Sequence, residues 1–400
     1  VMNVSFTLHL RFFVFGLLAC IFFASGIQTF AQEESPVASE AANVLPVPAQ
    51  QAYDIGKVTA VIEEEEFEVD GNRAFIQKLR VQNQKTDEIS EVMVGSEFQP
   101  VLEAQRFTVG DQVILTTQAD AENNEFTVLA DMYRIPILLF LAMVFLVLVA
   151  VVGGTRGMLS IIGMLSTFFI LGWYMLPAIL QGTSPVLVSV IASITAGAVT
   201  IYLAHGFNRK SHVAFGSIVA VLVVVILLST YVVQLARLLG LGDEQAYFLQ
   251  FAEYGSINLQ GLFLAGIIIG ALGVLDDIVV AQVSVVEQLL GANSSLSKQE
   301  IYFRALEVGK DHVASLVNTL FLAYAGTSLP LFLLVFVDSG VPWWVKVNNQ
   351  VIAEEIVRTL TGSIGLVLAV PLTTFLAVYL LSAEDAAKNS KKFTHAGHGH

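Results

Sequence analysis

Residues Gly261–Gln282 read GLFLAGIIIGALGVLDDIVVAQ, and residues Arg304–Leu334 read RALEVGKDHVASLVNTLFLAYAGTSLPLFLL. A run of about 20 apolar residues is enough to cross the hydrocarbon core of a bilayer. Both stretches reach that length, and at their facing ends they carry Asp276, Asp277, Arg304, Asp311, His312, Asn318 and Thr319. Ionisable groups at the edge of a bilayer core are costly, and they persist where they pair, line water or bind something. The two stretches therefore predict a polytopic membrane protein with a polar cluster at one helix junction.

Outward from this pair, the whole region 134–383 has the same character. Crossing segments are expected near 135–153, 158–180, 184–204, 213–236, 259–281, 313–336 and 360–382. Before it, residues 53–133 alternate apolar and polar side chains with the two-residue period of strands. The best candidates are Lys57 to Ile62, Ala74 to Val81, Gln112 to Thr117 and Phe126 to Asp131. Short strands separated by Gly, Asn and Asp turns predict a small β-barrel-like, OB-like domain. The expected fold class is thus a membrane all-α bundle of about seven transmembrane helices behind an extracytoplasmic β domain.

Composition agrees: 55% of the chain is hydrophobic and 14% charged, where soluble domains carry roughly a quarter charged residues. The net charge of −14 is local. Residues 32–133 hold 20 Asp and Glu against 6 Lys and Arg, and the remainder is neutral with 14 of each sign. No basic footprint exists, so nucleic acid is not an expected partner; the lipid bilayer is. Residues 32–52, rich in Ala, Pro, Ser, Glu and Gln, form a linker. The acidic run Glu63 to Glu66 lacks the spacing of a calcium loop and reads as a solvated strand end.

Residues 1–31 have the features of a signal peptide: Arg11, an apolar run from Phe12 to Ile27, and small residues at Thr29 and Ala31. An uncleaved anchor would give the same orientation, and a lipoprotein reading around Cys20 leaves an apolar stub behind the cysteine. Cys20 is the sole cysteine, so no disulfide forms within the chain. With the β domain outside, the inner connections hold nine basic residues (Arg156, Arg209, Lys210, Lys298, Arg304, Lys310, Lys388, Lys391, Lys392) and the outer ones three (Arg237, Lys346, Arg358). Positive residues favour the cytoplasmic side, which places the C-terminal tail 384–400 there, in a bacterial cytoplasmic membrane. That tail ends in His395, His398 and His400, a compositional hint of metal binding. Asp243 to Tyr254, Trp343 and Trp344 read as interfacial anchors on the outer side.

At the central pair, helical spacing puts Asp276 with Glu287 on one face and Asp277 with Ser284 and Gln288 on another. Arg304, Asp311, Ser315 and Asn318 form a stripe on the next helix, flanked by His312 and Thr319. Three readings of the ensemble stay open. Carboxylates beside a histidine suit a proton relay. Asp276, Asp277, Asp311 and His312 are also ligand types for a divalent cation, and no other cofactor is suggested by the sequence. Alternatively, with Arg304 balancing an aspartate and Gln282 nearby, the polar groups simply lock two helices together. Gly266 to Gly270 form a GxxxG pattern, so a homo-oligomer through the glycine-rich helix 259–281 is expected. Gly326 with Pro330, and Gly362 and Gly365 with Pro371, are expected to break their helices.

Several of these residues occur in an order that resembles the YibE/F family of bacterial multi-pass membrane proteins. The resemblance is carried by Leu264 to Gly270, Gly273 to Asp277, Gln282, Val308 to His312, Val317 to Leu320, Ala323 to Gly326 and Leu329-Pro330. Lys310 stands where an arginine is expected. The resemblance spans about Arg134 to Leu381 and implies fold and location, without an activity. No nucleotide-binding, metalloprotease or serine-hydrolase motif is present, so an enzyme is not expected. A transporter or ion-coupled permease is the leading expectation. The alternative is a non-transporting membrane scaffold or envelope-assembly partner acting through the β domain.

Overall fold

The structure is a computed structural model describing residues 52–69, 72–96, 99–119, 125–242, 246, 249, 257–293, 295–337 and 340–382. The signal, nearly all of the linker, most of the segment Asp243 to Tyr254 and the histidine tail lie outside the described residues. Two compact units are divided between Leu148 and Val149.

In the first unit, β1 (Tyr53–Val69), β2 (Asn72–Asn83), β3 (Ile89–Val94), β4 (Val101–Leu102), β5 (Gln112–Ala119) and β6 (Glu125–Met132) form one antiparallel sheet. The order is β3-β2-β1-β5-β6, with β4 on the end of β2. The β1–β2 register shifts between Val58 and Ala60 and again between Val61 and Glu63. Such bulges bend a strand and increase its twist, and the sheet curls into a half-barrel around Val58, Leu79, Val81, Val92, Phe107, Val113 and Leu115. Strands β3 and β4 escape sequence reading because they are short and sit among polar residues. Gln77 occupies an inward position with no exposure. Its Nε2 donates to the Phe107 carbonyl (3.0 Å) and its Oε1 accepts the Phe107 N–H (2.9 Å), so the amide replaces the missing strand partner of that loop.

In the chain beyond, α1 (Ile135–Phe169) is kinked at Gly154 (φ 56, ψ −139), a left-handed conformation open to glycine. It runs on through a π-helical turn, Ile170–Met175, into α2 (Leu176–Leu180). Then follow α3 (Pro185–His205), α4 (Arg209–Leu235), α5 (Leu259–Ala292), α6 (Lys298–Thr327), α7 (Leu329–Phe336), α8 (Trp343–Val347) and α9 (Gln350–Leu380). Among the described residues six helical segments are long and apolar enough to cross a membrane, two of them on either side of the kink in α1, or seven if α6 and α7, bent by 75°, count as one broken span.

The bend at α6–α7 falls at Gly326 to Pro330, as expected, with Pro330 in the first turn of α7, where its missing N–H costs nothing. The second expected break is absent: α9 continues through Pro371. Its flanks are held by close packing. A Cβ at Gly365 would collide with Val225 of α4, and one at Gly309 of α6 would collide with Val370 of α9. Helix α5 sits at the centre, against α3, α4, α6 and α9. Asn258 caps its start and Ser297 with Glu300 forms a capping box at the start of α6.

Candidate functional site

The α5–α6 junction is built on small residues. Helix α6 turns Ile301, Ala305 and Gly309 toward the bundle, and α5 meets this face with Gln282, which has no exposure. Gln282 Nε2 donates to the Ala305 carbonyl (2.8 Å) and to Thr374 Oγ1 of α9 (2.7 Å), so one amide joins three helices. Its Oε1 has no protein partner. At the same end Lys210 of α4 pairs with Glu287 of α5 (3.1 Å), and Lys298 of α6 lies over the ring of Tyr379 of α9.

This packing separates the residues that sequence spacing grouped. Asp276 is half-buried and faces Thr200 of α3. Asp277 is exposed on a different face of α5. Arg304, Asp311, His312, Ser315, Asn318 and Thr319 are all exposed. Arg304, Asp311, Ser315 and Asn318 lie about 80–180° around the helix from Ala305 and Gly309, the residues that contact α5 and α9, while His312 and Thr319 lie closer to them, on the part of α6 beyond Gly309 where no residue is buried. Arg304 makes no ion pair with Asp276 or Asp277, and its charge acts weakly on Glu300 one turn earlier in α6. Among the described residues no three His, Cys, Asp or Glu side chains gather as metal ligands. Asp276, on the α3 side of α5, and the exposed Asp277, Asp311 and His312 are not gathered into one such group among the described residues of the chain.

A different constellation emerges along α5. Gly266, Gly270, Gly273, Asp277, Ser284 and Gln288 fall within about 60° on the helix. Nothing lies within 4 Å of a Cβ position at Gly266 or Gly273, so the strip is a groove floored by backbone. Gly266 opens into a cavity of about 540 Å³ between the π-helical turn, α5 and α9, lined by Phe168, Leu171, Met175, Phe263, Glu354 and Arg358 among others. Between cavity and aspartate the hydroxyl of Tyr324 lies over Gly270, 3.0 Å from its Cβ position.

Glu354 lies buried in α9 and accepts from Gly240 N–H (2.8 Å), Gly242 N–H (2.9 Å) and Gln350 Nε2 (2.8 Å). Three donors compensate the buried carboxylate. Thr200 and Thr374 escaped notice, since isolated hydroxyls in apolar runs carry no periodic signal, and Tyr324 entered only within the stretch Ala323 to Gly326 that carries the resemblance.

The YibE/F-like protein family profile matches residues 141–383, more than half of the 400-residue chain. The chain belongs to the YibE/F-like family. No curated protein and no solved structure matches it at a significant level. The YibE/F-like region contains the whole groove, the Gln282 junction and Glu354, so both the resemblance and the site geometry fall in the same part of the chain.

Proposed function

We propose that this YibE/F-like protein is a transporter of the bacterial cytoplasmic membrane that moves a proton or small cation along the α5 groove, with the β domain outside and the C-terminus in the cytoplasm. The observation that carries the reading is the glycine-floored strip leading from the cavity at Gly266 to Asp277. Bare backbone in a membrane helix is tolerated where it lines a cavity, and a carboxylate at the end of such a groove attracts a cation or proton. Asp276, one residue earlier, adds negative charge at the same depth. Tyr324 over Gly270 is the constriction a permeating ion would have to pass. The membrane setting is supported by α1, whose side chains from Ile135 to Val152 are largely exposed and apolar on every side, a pattern stable in lipid.

The test uses the full-length protein in liposomes that enclose a pH-sensitive dye, with an imposed proton gradient and then with divalent cations added outside. Asp277→Asn should slow the flux by about tenfold or more, equivalent to ~1.4 kcal/mol of lost barrier lowering. Flux in the variant equal to the wild type, for protons and for every cation tried, would overturn the proposal.

A further inference from the structure

We propose that a second copy of this chain covers the outward face of α6. The inference rests on the membrane reading above and concerns a surface separate from the α5 groove. Asp311, His312, Ser315, Asn318 and Thr319 are exposed on α6. Thr319 Oγ1 is satisfied within the helix by the Ser315 carbonyl (3.0 Å). Among the described residues, no side chain partners Asp311, His312, Ser315 or Asn318. Asn318 lies seven residues beyond Asp311, roughly 10 Å deeper along the helix. Polar and ionisable side chains at that depth face protein or water, not acyl chains, and across helices they form hydrogen bonds.

The chemistry of the stripe fits its own copy. Two chains inserted with the same orientation are related by a twofold axis along the membrane normal, so residues at equal depth meet. An asparagine amide is both donor and acceptor, and Asn318 can satisfy Asn318 of the second copy. Asp311 meets the neighbouring His312 in the same way, acid against base. Lys310 is already engaged by Glu307 (2.6 Å), which leaves the Asp311 carboxyl as acceptor and the His312 ring N–H as donor at this level. Exposed Phe321 and Leu322 continue the helix surface beyond Asn318 as an apolar border.

The experiment exploits the single cysteine. In full-length Cys20→Ser protein, Asn318→Cys is introduced and native membranes are oxidised with copper phenanthroline. A disulfide-linked dimer is expected as the main species, with Ser315→Cys giving the same product. Leu227→Cys, on the exposed face of α4, and Gly273→Cys, at an open position of α5, should remain monomeric. Dimer at Gly273→Cys but not Asn318→Cys would move the contact to the glycine face and overturn the proposal. So would the absence of crosslinking at Asn318 and Ser315 in protein recovered from the membrane fraction. Protein missing from that fraction would instead refute the membrane reading. As a second measurement, Asn318→Leu should weaken dimerisation in detergent by at least about tenfold by light scattering; unchanged mass would show a face that lipid covers.

Discussion

Glu64 carries more of the β domain than its place in an acidic run indicates. Arg106 grips it with two bonds, Nε at 2.9 Å and Nη2 at 2.6 Å, and Gln77 Nε2 adds a third at 2.7 Å. A paired guanidinium fork of this kind is both strong and directional. It fastens the loop that delivers Phe107 to the half-barrel core. The Arg106 hydrogen bonds, more than the accompanying contact with Gln77, hold the Glu64 carboxyl below the ordinary glutamate range. A carboxylate whose folded value is depressed contributes stability above its unfolded value, and the contribution disappears as pH falls through the folded value. In the full-length protein, protection of the Phe107 amide against hydrogen exchange, taken relative to an unstructured amide at the same pH, should therefore be high at neutral pH and fall as the solution is acidified through and below the ordinary glutamate range. With Arg106→Ala the protection should be lower at neutral pH and lose most of that acid dependence. Equal profiles for the two proteins would remove Glu64 from this role.

At the scale of elements, α6 shows what spacing can and cannot reveal. Periodicity correctly placed Arg304, Asp311, Ser315 and Asn318 on one face of one helix, and the apolar runs located the long helices, with α9 beginning earlier than expected at Gln350. Which way the stripe points was not legible. That depends on which residues a neighbour can approach most closely, and Ala305 and Gly309 win because they have the least side chain. The Gln282–Thr374 bond spans 92 positions and the Glu354–Gly240 bond 114, and no local pattern announces either. The strands β3 and β4 were missed for the opposite reason: their signal is too short to rise above the surrounding polar residues. The packing account makes a definite prediction for Gly309. Its Cβ position falls on Val370 Cγ1 and lies 3.0 Å from Gln282 Oε1. Gly309→Ala should lower the unfolding temperature of the detergent-solubilised protein, consistent with an overpacking cost of about 1–3 kcal/mol. Val370→Ala should restore part of the loss, because it removes the atom in the way. If the double variant is no more stable than Gly309→Ala alone, the α6–α9 contact is not what limits that position.

For the molecule as a whole, two kinds of evidence bear on sidedness, and they come from different parts of the chain. The amino-terminal segment has signal-like composition, and the basic residues of the connections are biased nine to three toward one side. The helix ends sort consistently with this. The Lys210–Glu287 pair, the Lys298–Tyr379 contact and the Gln282 junction gather at one end of the bundle, while the Glu354 clasp on Gly240 and Gly242 closes the opposite end. If the first end is cytoplasmic, the β2–β3 turn at Lys85 to Asp87 must lie on the other side of the membrane, and Ser295 between α5 and α6 must lie inside. Starting from Cys20→Ser protein, a cysteine at Thr86 should react with a membrane-impermeant maleimide added to intact cells from which any outer barrier has been stripped. A cysteine at Ser295 should react only after the membrane is opened by detergent. Inverted labelling would reverse the orientation of every helix. The Asp277 end of the groove would then open outward, and the direction in which flux is measured would have to be reversed. Labelling of both positions in sealed cells would show that the two sites share a compartment. In that case α1–α5 would cross the membrane an even number of times, and the broken α6–α7 pair would be the first place to look for a segment that enters without crossing.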